Sequence, residues 1–98
     1  MPYLRRSKMS VKVRIHPFLL HLTGGQEIVE VEGKNVGQCL DSLEARFPGL
    51  KSQLFDKQGR LHGYIEIYIN EHTTYPEELN YPVNDGDEVT ILFMAAGG

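Results

Sequence analysis

The stretch NVGQCLDSLEARFPGL, residues 35–50, decides the class of fold. Its apolar residues recur at the spacing of one helix face, and they are Val36, Cys39, Leu40, Leu43 and Phe47. Asn35 is a suitable N-cap with Gln38 three residues later, and Pro48-Gly49 provides a stop. Because one helix cannot cover its own apolar stripe, the pattern predicts a helix packed on a sheet.

The segments before this helix predict two strands. SVKVRIH, residues 10–16, alternates polar and apolar side chains, so one face carries Val11, Val13 and Ile15. The turn signal TGGQ at residues 23–26 precedes EIVEVE at residues 27–32, which resumes strand character. We therefore expect a hairpin, although Pro17 and the FLLHL that follows leave the end of its first arm open.

The segments after the helix predict two more strands. Residues 50–61 read as a turn-rich connector, and HGYIEIYIN at residues 62–70 alternates cleanly, with isoleucine at every second position. Residues 71–82 are irregular, so they form a loop or a short strand, and the turn NDGDE precedes the final strand VTILF at residues 89–93. The order β-β-α-β-β predicts an α+β fold with one main helix on one face of a mixed sheet.

Length and composition exclude several classes of protein. A chain of 98 residues with net charge −3 indicates one domain without the basic footprint of a nucleic-acid binder. The single cysteine cannot form an internal disulfide, and no apolar run approaches the roughly 20 residues of a membrane helix. We expect a cytoplasmic protein with a flexible leader at residues 1–9, a domain at residues 10–94 and a flexible tail at residues 95–98; Met9 is an alternative start.

The side chains with chemical potential do not form a catalytic or metal-binding pattern. No recognised zinc spacing relates the four histidines, which are His16, His21, His62 and His72, so structural or surface roles are expected. Cys39 lies on the apolar stripe and is expected to be a buried, inert thiol. Thr23-Gly24-Gly25 lacks the lysine of a phosphate loop, and the carboxylates at residues 85–88 fit a tight turn. The sequence thus predicts no catalytic residue, no metal site and no enzyme activity of its own.

The last residues, ILFMAAGG, suggest a different use. If Met94 makes the last sheet contact, Ala95, Ala96, Gly97 and Gly98 reach at most ~13–14 Å beyond it. They are slim enough to thread a narrow tunnel in another protein. The terminal carboxylate is ionised at neutral pH and is a poor electrophile, so it must be activated before a nucleophile attacks it. Since no nucleotide site is recognisable, a partner enzyme is expected to supply ATP and metal.

The strand before this tail predicts a contact surface. If Ile91 faces the helix, Leu92 and Met94 face outward, and with Ala95-Ala96 they are expected to bind a partner. The alternative is that Leu92 and Met94 pack under the loop of residues 71–82.

The chain resembles the ubiquitin-like β-grasp sulfur carriers, which are related to the small subunit of molybdopterin synthase and to the thiamin-pathway sulfur carrier. NDGDEVTILFMAAGG, the helix NVGQCLDSLEARFPGL and the strand IEIYIN carry the resemblance, which covers residues 11–98. Within the family, TGGQ, LEARFPGL, GRLH, IYIN and DGDEVTIL are most similar to the carrier of thiocarboxylate-dependent cysteine synthesis. The resemblance implies a β-grasp with a mixed sheet of four to five strands.

The resemblance also implies a function for the tail. Family members are adenylated on the terminal glycine by an E1-like adenylyltransferase, and a sulfur donor then converts that glycine to a thiocarboxylate. This chemistry transfers to Gly98, with Gly97 needed for access. The acceptor would be a cysteine synthase-like enzyme, the large subunit of molybdopterin synthase or a thiazole synthase. Where the family often has prolines before the tail, this chain has Phe93-Met94.

Two other functions fit the same residues. A ubiquitin-like modifier would use the same tail, with a lysine amine attacking the activated Gly98. A plain β-grasp interaction module would not use the final glycines at all.

Overall fold

A computed structural model describes residues 10–94. The strands are β1 (Val11–Arg14), β2 (Ile28–Val31), β3 (Ile65–Ile69), β4 (His72–Thr73) and β5 (Glu88–Phe93). The α-helices are α1 (Val36–Arg46) and α2 (Leu50–Leu54), and short 3-10 helices span Pro17–Leu22 and Glu78–Asn80. The leader predicted at residues 1–9 and the tail predicted at residues 95–98 lie outside the described residues.

The five strands form one mixed sheet in the order β2-β1-β5-β3-β4. The central strands β1 and β5 are parallel, and the other neighbouring pairs are antiparallel. The apolar positions predicted from alternation meet in register, since Val13 pairs with both Val29 and Val89, and Ile67 pairs with Ile91. All of these side chains are buried. The predicted α+β class is confirmed, with β4 as the short strand that the sequence left open.

Helix α1 covers the core face of the sheet. The Asn35 side chain accepts a hydrogen bond from the Gln38 amide (2.8 Å), and the Gln38 side chain accepts one from the Lys34 amide (2.8 Å). The predicted N-cap is therefore confirmed. In a standard capping box the Gln38 side chain would accept from the Asn35 amide, whereas here it accepts from the amide one residue earlier. Four residues of the apolar stripe are buried and Phe47 is partly buried. Burial raises the pKa of the Cys39 thiol to about 11. Because the thiolate is the reactive form, this cysteine is inert at neutral pH.

The connector after α1 contains a helix that the sequence interpretation missed. Residues 50–61 were expected to be turns, whereas Leu50–Leu54 form α2. The Glu44 carboxylate accepts hydrogen bonds from the amides of Gly49 (3.1 Å) and Lys51 (2.8 Å), which supplies the cap from a different helix. Leu50 and Leu54 are buried against the core, so tertiary contacts stabilise this single turn of helix.

The predicted pairing of the first two strands is confirmed, but their connection is more than a turn. Pro17–Leu22 form a 3-10 helix that buries Leu19 in the core. The buried Thr23 hydroxyl donates to the carbonyl of Gln26 (2.9 Å) and closes the TGG turn. The predicted role of this glycine pair as a turn is therefore confirmed.

The acidic turn at residues 84–87 precedes β5 and lies at the end of this strand that is opposite to Met94. Its carboxylates hold neighbouring segments by hydrogen bonds. The Asp87 carboxylate accepts hydrogen bonds from the Asn84 amide (2.8 Å) and the Asn70 side-chain amide (3.2 Å). Asp85 accepts one from the Ser10 amide (2.8 Å), which fastens the start of β1. These bonds explain the carboxylates as parts of a turn. Within residues 10–94, no three His, Cys, Asp or Glu side chains converge to hold a metal ion.

No helix in residues 10–94 combines the length and the apolar character needed to cross a membrane.

Candidate functional site at the end of the last strand

The chain leaves the sheet from its middle. Phe93, the last residue of β5, pairs with Ile65, and the Met94 amide donates a 2.7 Å hydrogen bond to the Tyr64 carbonyl. Strand β1 pairs with β5 only as far as Thr90, so the end of β5 and Met94 are held by backbone hydrogen bonds on the β3 side alone. The predicted activation residues Gly97 and Gly98 and the predicted contact residues Ala95 and Ala96 lie outside the described residues.

The two predicted contact residues on β5 differ in exposure. Met94 is 49% exposed, whereas Leu92 is half-buried opposite Glu66. Ile91 is buried, so the side chains alternate as predicted. The exposure of Met94 means that the loop of residues 71–82 does not cover it. The role of Leu92 and Met94 as partner contacts stays a prediction.

A row of aromatic rings flanks this exit, and the sequence interpretation missed it. We call it the aromatic row; its members are His16, Phe18, Phe93, Tyr64 and His62. Phe93 lies at the centre, with ring centroids 4.8 Å from His16, 5.2 Å from Phe18 and 6.0 Å from Tyr64. His62 stacks on Tyr64 at 4.7 Å with an interplanar angle of 10°. Such edge-to-face and stacked pairs lie in the range of favourable ring contacts.

His16 fixes the outer end of the aromatic row. Its Nδ1 atom accepts a hydrogen bond from the Phe18 amide (3.0 Å) and so caps the 3-10 helix. The His16 ring also contacts the Phe18 ring at 4.6 Å. His16 and His62 thus have the structural roles that the sequence predicted. The signal for the aromatic row is not local, because the pairing of β1 with β5 brings His16 to Phe93 and the pairing of β3 with β5 brings Tyr64 and His62 to it.

The described residues at this end of the sheet present apolar surface. The one cysteine is buried in α1, on the core side of the sheet. Among the described residues, Phe18, Tyr64 and Met94 are large apolar side chains that are exposed, and such side chains are stabilised when another surface buries them.

The chain is similar to known proteins over most of its length. A model described as the ThiS family matches residues 14–98. The sulfur carrier protein CysO of Mycobacterium tuberculosis is 39% identical over 93 residues, which cover 92% of this chain and 100% of that protein. One chain in the crystal structure of the Amycolatopsis orientalis BexX/CysO complex superposes with a TM-score of 0.81 at 37% identity, covering 90% of this chain and 99% of that one. The solution structure of small archaeal modifier protein 1 from Methanosarcina acetivorans gives a TM-score of 0.76 at 31% identity, covering 93% and 98%.

The fold and these matches define the class as a ubiquitin-like β-grasp carrier protein, as the sequence resemblance implied. The chain belongs to the ThiS family, and it is of the sulfur carrier type represented by CysO.

Proposed function

We propose that the chain carries sulfur as a thiocarboxylate on Gly98 and serves as a protein cosubstrate that catalyses no reaction itself. The observation that carries this proposal is the family match, which runs through the last strand to residue 98 and so includes Gly97-Gly98. The position of β5 supports it, because the last residues of this strand pair with β3 and the Met94 amide bonds the Tyr64 carbonyl, so the chain leaves the sheet from a paired strand end.

The chemistry proceeds in two transfers on the carboxyl carbon of Gly98. One carboxylate oxygen attacks the α-phosphorus of ATP on a partner enzyme, and pyrophosphate leaves as an acyl-adenylate forms. A donor that supplies sulfur at the oxidation level of hydrosulfide then attacks the acyl carbon, the sulfur loses its proton, and AMP leaves with its bonded oxygen. The product is a thiocarboxylate with one oxygen replaced by sulfur. ATP and metal belong to the activating partner in this scheme.

Three kinds of partner follow from this scheme: an E1-like adenylyltransferase, a sulfur donor and an acceptor enzyme. We place a cysteine synthase-like enzyme first among acceptors, ahead of a molybdopterin synthase large subunit and a thiazole synthase. The loop residues quoted above favour it, as does the 39% identity to CysO. The BexX/CysO complex supports the idea that carriers of this type bind a second protein.

Intact-mass measurement tests the proposal. The chain is incubated with the E1-like adenylyltransferase of the same genome, ATP and a sulfur donor. The expected product is heavier by the difference between one sulfur and one oxygen. The matched control lacks Gly98 and should keep its circular dichroism spectrum but gain no sulfur. An unchanged mass under conditions that activate a known carrier contradicts the proposal.

A second candidate is a protein modifier joined through Gly98 to lysine amines. The 31% identity to small archaeal modifier protein 1 favours it. Isopeptide-linked adducts in cell extracts, lost when Gly98 is removed, would establish this use. An interaction module with incidental glycines predicts instead that partner binding is unchanged after the tail is trimmed.

A further inference from the structure

The two parts of the chain carry opposite net charge. All ten lysine and arginine residues lie within residues 1–60, whereas residues 61–98 contain none of them and seven of the thirteen acidic residues. Residues 61–98 therefore have a formal charge of −7 in a chain whose total is −3. Strands β5, β3 and β4 come from this part and are neighbours in the sheet. One side of the domain is consequently acidic.

Four glutamates on this side have no basic partner within residues 10–94. We call them the acidic flank, and they are Glu66, Glu71, Glu77 and Glu78. The ion pairs in this part of the chain use the acids Glu88, Asp41 and Asp56 instead. The pKa of Glu78 is raised by burial and by the charge of Glu66, which indicates that these two carboxylates lie near each other. Because the domain does not neutralise it, the acidic flank attracts a surface of opposite charge.

An exposed aromatic ring lies in the same loop. Tyr75 is 71% exposed, more than any other large hydrophobic side chain of residues 10–94, and it precedes Glu77 by two residues. Its amide donates a hydrogen bond to the Thr73 hydroxyl (3.2 Å), and the buried Thr74 hydroxyl donates one to the Ile67 carbonyl (2.8 Å). The loop is thus fastened to β3. A ring beside carboxylates suits arginine, whose guanidinium stacks on aromatic faces and pairs with carboxylates.

The acidic flank begins beside the place where the chain leaves the sheet. Glu66 is the register partner of Leu92, two residues before Met94. Strand β4 lies two strands from β5, a distance of about 10 Å. Residues 95–98 span at most about 13–14 Å when fully extended, so an enzyme that receives Gly98 also approaches this side of the sheet. Both candidate functions require activation of the terminal carboxylate, which makes the activating enzyme the partner common to them.

From this charge distribution we propose that the acidic flank and Tyr75 form a docking surface for a basic, arginine-bearing surface of the E1-like enzyme that activates the tail. The carboxylates speed the encounter of the two proteins, and a partner arginine stacked on Tyr75 slows their separation. The proposal rests on the proposed function for the identity of the partner, whereas its binding test does not depend on the chemistry.

Association kinetics with the E1-like adenylyltransferase of the same genome, without ATP, test the carboxylates. The double variant Glu71→Gln, Glu77→Gln should lower the association rate constant at least about fivefold at low salt. The control is Glu30→Gln, Glu32→Gln, which changes the net charge equally at the opposite edge of the sheet and should alter the rate less than about twofold. At about 0.5 M salt the three rates should converge, because salt screens the attraction. Equal rates for the two double variants at low salt overturn the proposal.

The dissociation rate tests the ring. Tyr75→Ala should raise the dissociation rate constant at least about tenfold and leave the association rate constant within about twofold. Tyr75→Phe keeps the aromatic face and should change either rate by less than about twofold. A dissociation rate for Tyr75→Ala that matches wild type removes Tyr75 from the docking surface and overturns this part of the proposal.

Comparing binding with sulfur gain separates the surface from the chemistry. If wild type gains no sulfur but the acidic flank governs association, the proposed function fails and the surface stands. If wild type gains sulfur and the variants bind as it does, the proposed function stands and the surface is overturned. Absence of binding, or variants that alter only self-association in sedimentation, also overturns the surface. Matched melting temperatures exclude unfolding as the cause of any loss.

Discussion

At the scale of single residues, Gly33 is required by a close approach of two backbone segments. A Cβ atom at this position would lie 2.8 Å from the Cys39 amide nitrogen and 2.9 Å from the Cys39 sulfur. Because the first contact is with backbone, a rotamer change cannot relieve it. We expect Gly33→Ala to lower the free energy of unfolding by about 1–3 kcal/mol, measured by urea denaturation.

Gly63→Ala is the control for this substitution, since a Cβ atom there meets nothing within 4 Å. It should change the free energy of unfolding by less than about 0.5 kcal/mol. Equal unfolding midpoints for the two variants would mean that the loop before α1 moves freely enough to accept a methyl group.

Glu44 couples the stability of the short helix α2 to pH. Hydrogen bonds from the Lys51 and Gly49 amides lower the pKa of its carboxyl group. A lowered folded-state pKa gives stability that is present above the unfolded value of about 4.3 and is lost as pH falls through the folded value. Because the carboxylate stays partly in water, Glu44→Gln should cost only about 0.5–1 kcal/mol at neutral pH.

The measurement is the free energy of unfolding of both proteins from pH 7 to pH 3. The difference between wild type and Glu44→Gln should shrink as the pH falls below about 4. Glu77→Gln, at an exposed glutamate, should track wild type throughout. A constant gap between wild type and Glu44→Gln across this range would contradict the assigned role of the carboxylate.

At the scale of elements, α1 protects the open edge of the sheet. Strand β2 is an edge strand and pairs only with β1. Arg46 donates a hydrogen bond to the Glu30 carbonyl (2.7 Å), and the Ser42 hydroxyl donates one to the Glu32 carbonyl (2.7 Å). Side chains of the helix thereby occupy carbonyls that could otherwise pair with a strand of another chain.

We expect the double variant Ser42→Ala, Arg46→Ala to self-associate more readily than wild type while keeping the fold. Light scattering on heating should detect association at a lower temperature and at lower protein concentration. Arg60→Ala, at an exposed arginine that bonds Asp56 in the loop after α2, should behave like wild type. Identical scattering curves for the double variant and wild type would mean that twist and charge alone protect the edge.

At the scale of the whole molecule, local sequence patterns predicted the long strands and the long helix. They missed the short helices, which depend on contacts outside a simple periodic pattern. Alternation located β1, β3 and β5, and the helical spacing with the Asn35 cap located α1. Helix α2 was missed because five residues carry too little periodicity and its cap comes from Glu44 in another helix. The short helix at Pro17–Leu22 was missed because its cap is an imidazole.

Local patterns likewise predicted one part of the candidate site and missed another. The outward position of Met94 follows from alternation along β5, so the sequence predicted it. The aromatic row could not be predicted in this way. Residues 16–18 and 62–64 reach Phe93 from its two sides only after β1 and β3 have both paired with β5. The predicted chemistry of Gly97-Gly98 came from resemblance to a family, and the described residues do not test it.

The central position of β5 in the sheet also determines when a newly made chain can complete its fold. During translation β1 and β3 are made early, yet neither can pair with the other, because the strand that belongs between them is residues 88–93. A nascent or prematurely ended product therefore lacks the middle of its sheet and, with it, most of its cooperativity. Because residues 88–93 leave the ribosome after β1 and β3, the sheet can close only when nearly the whole described domain has emerged.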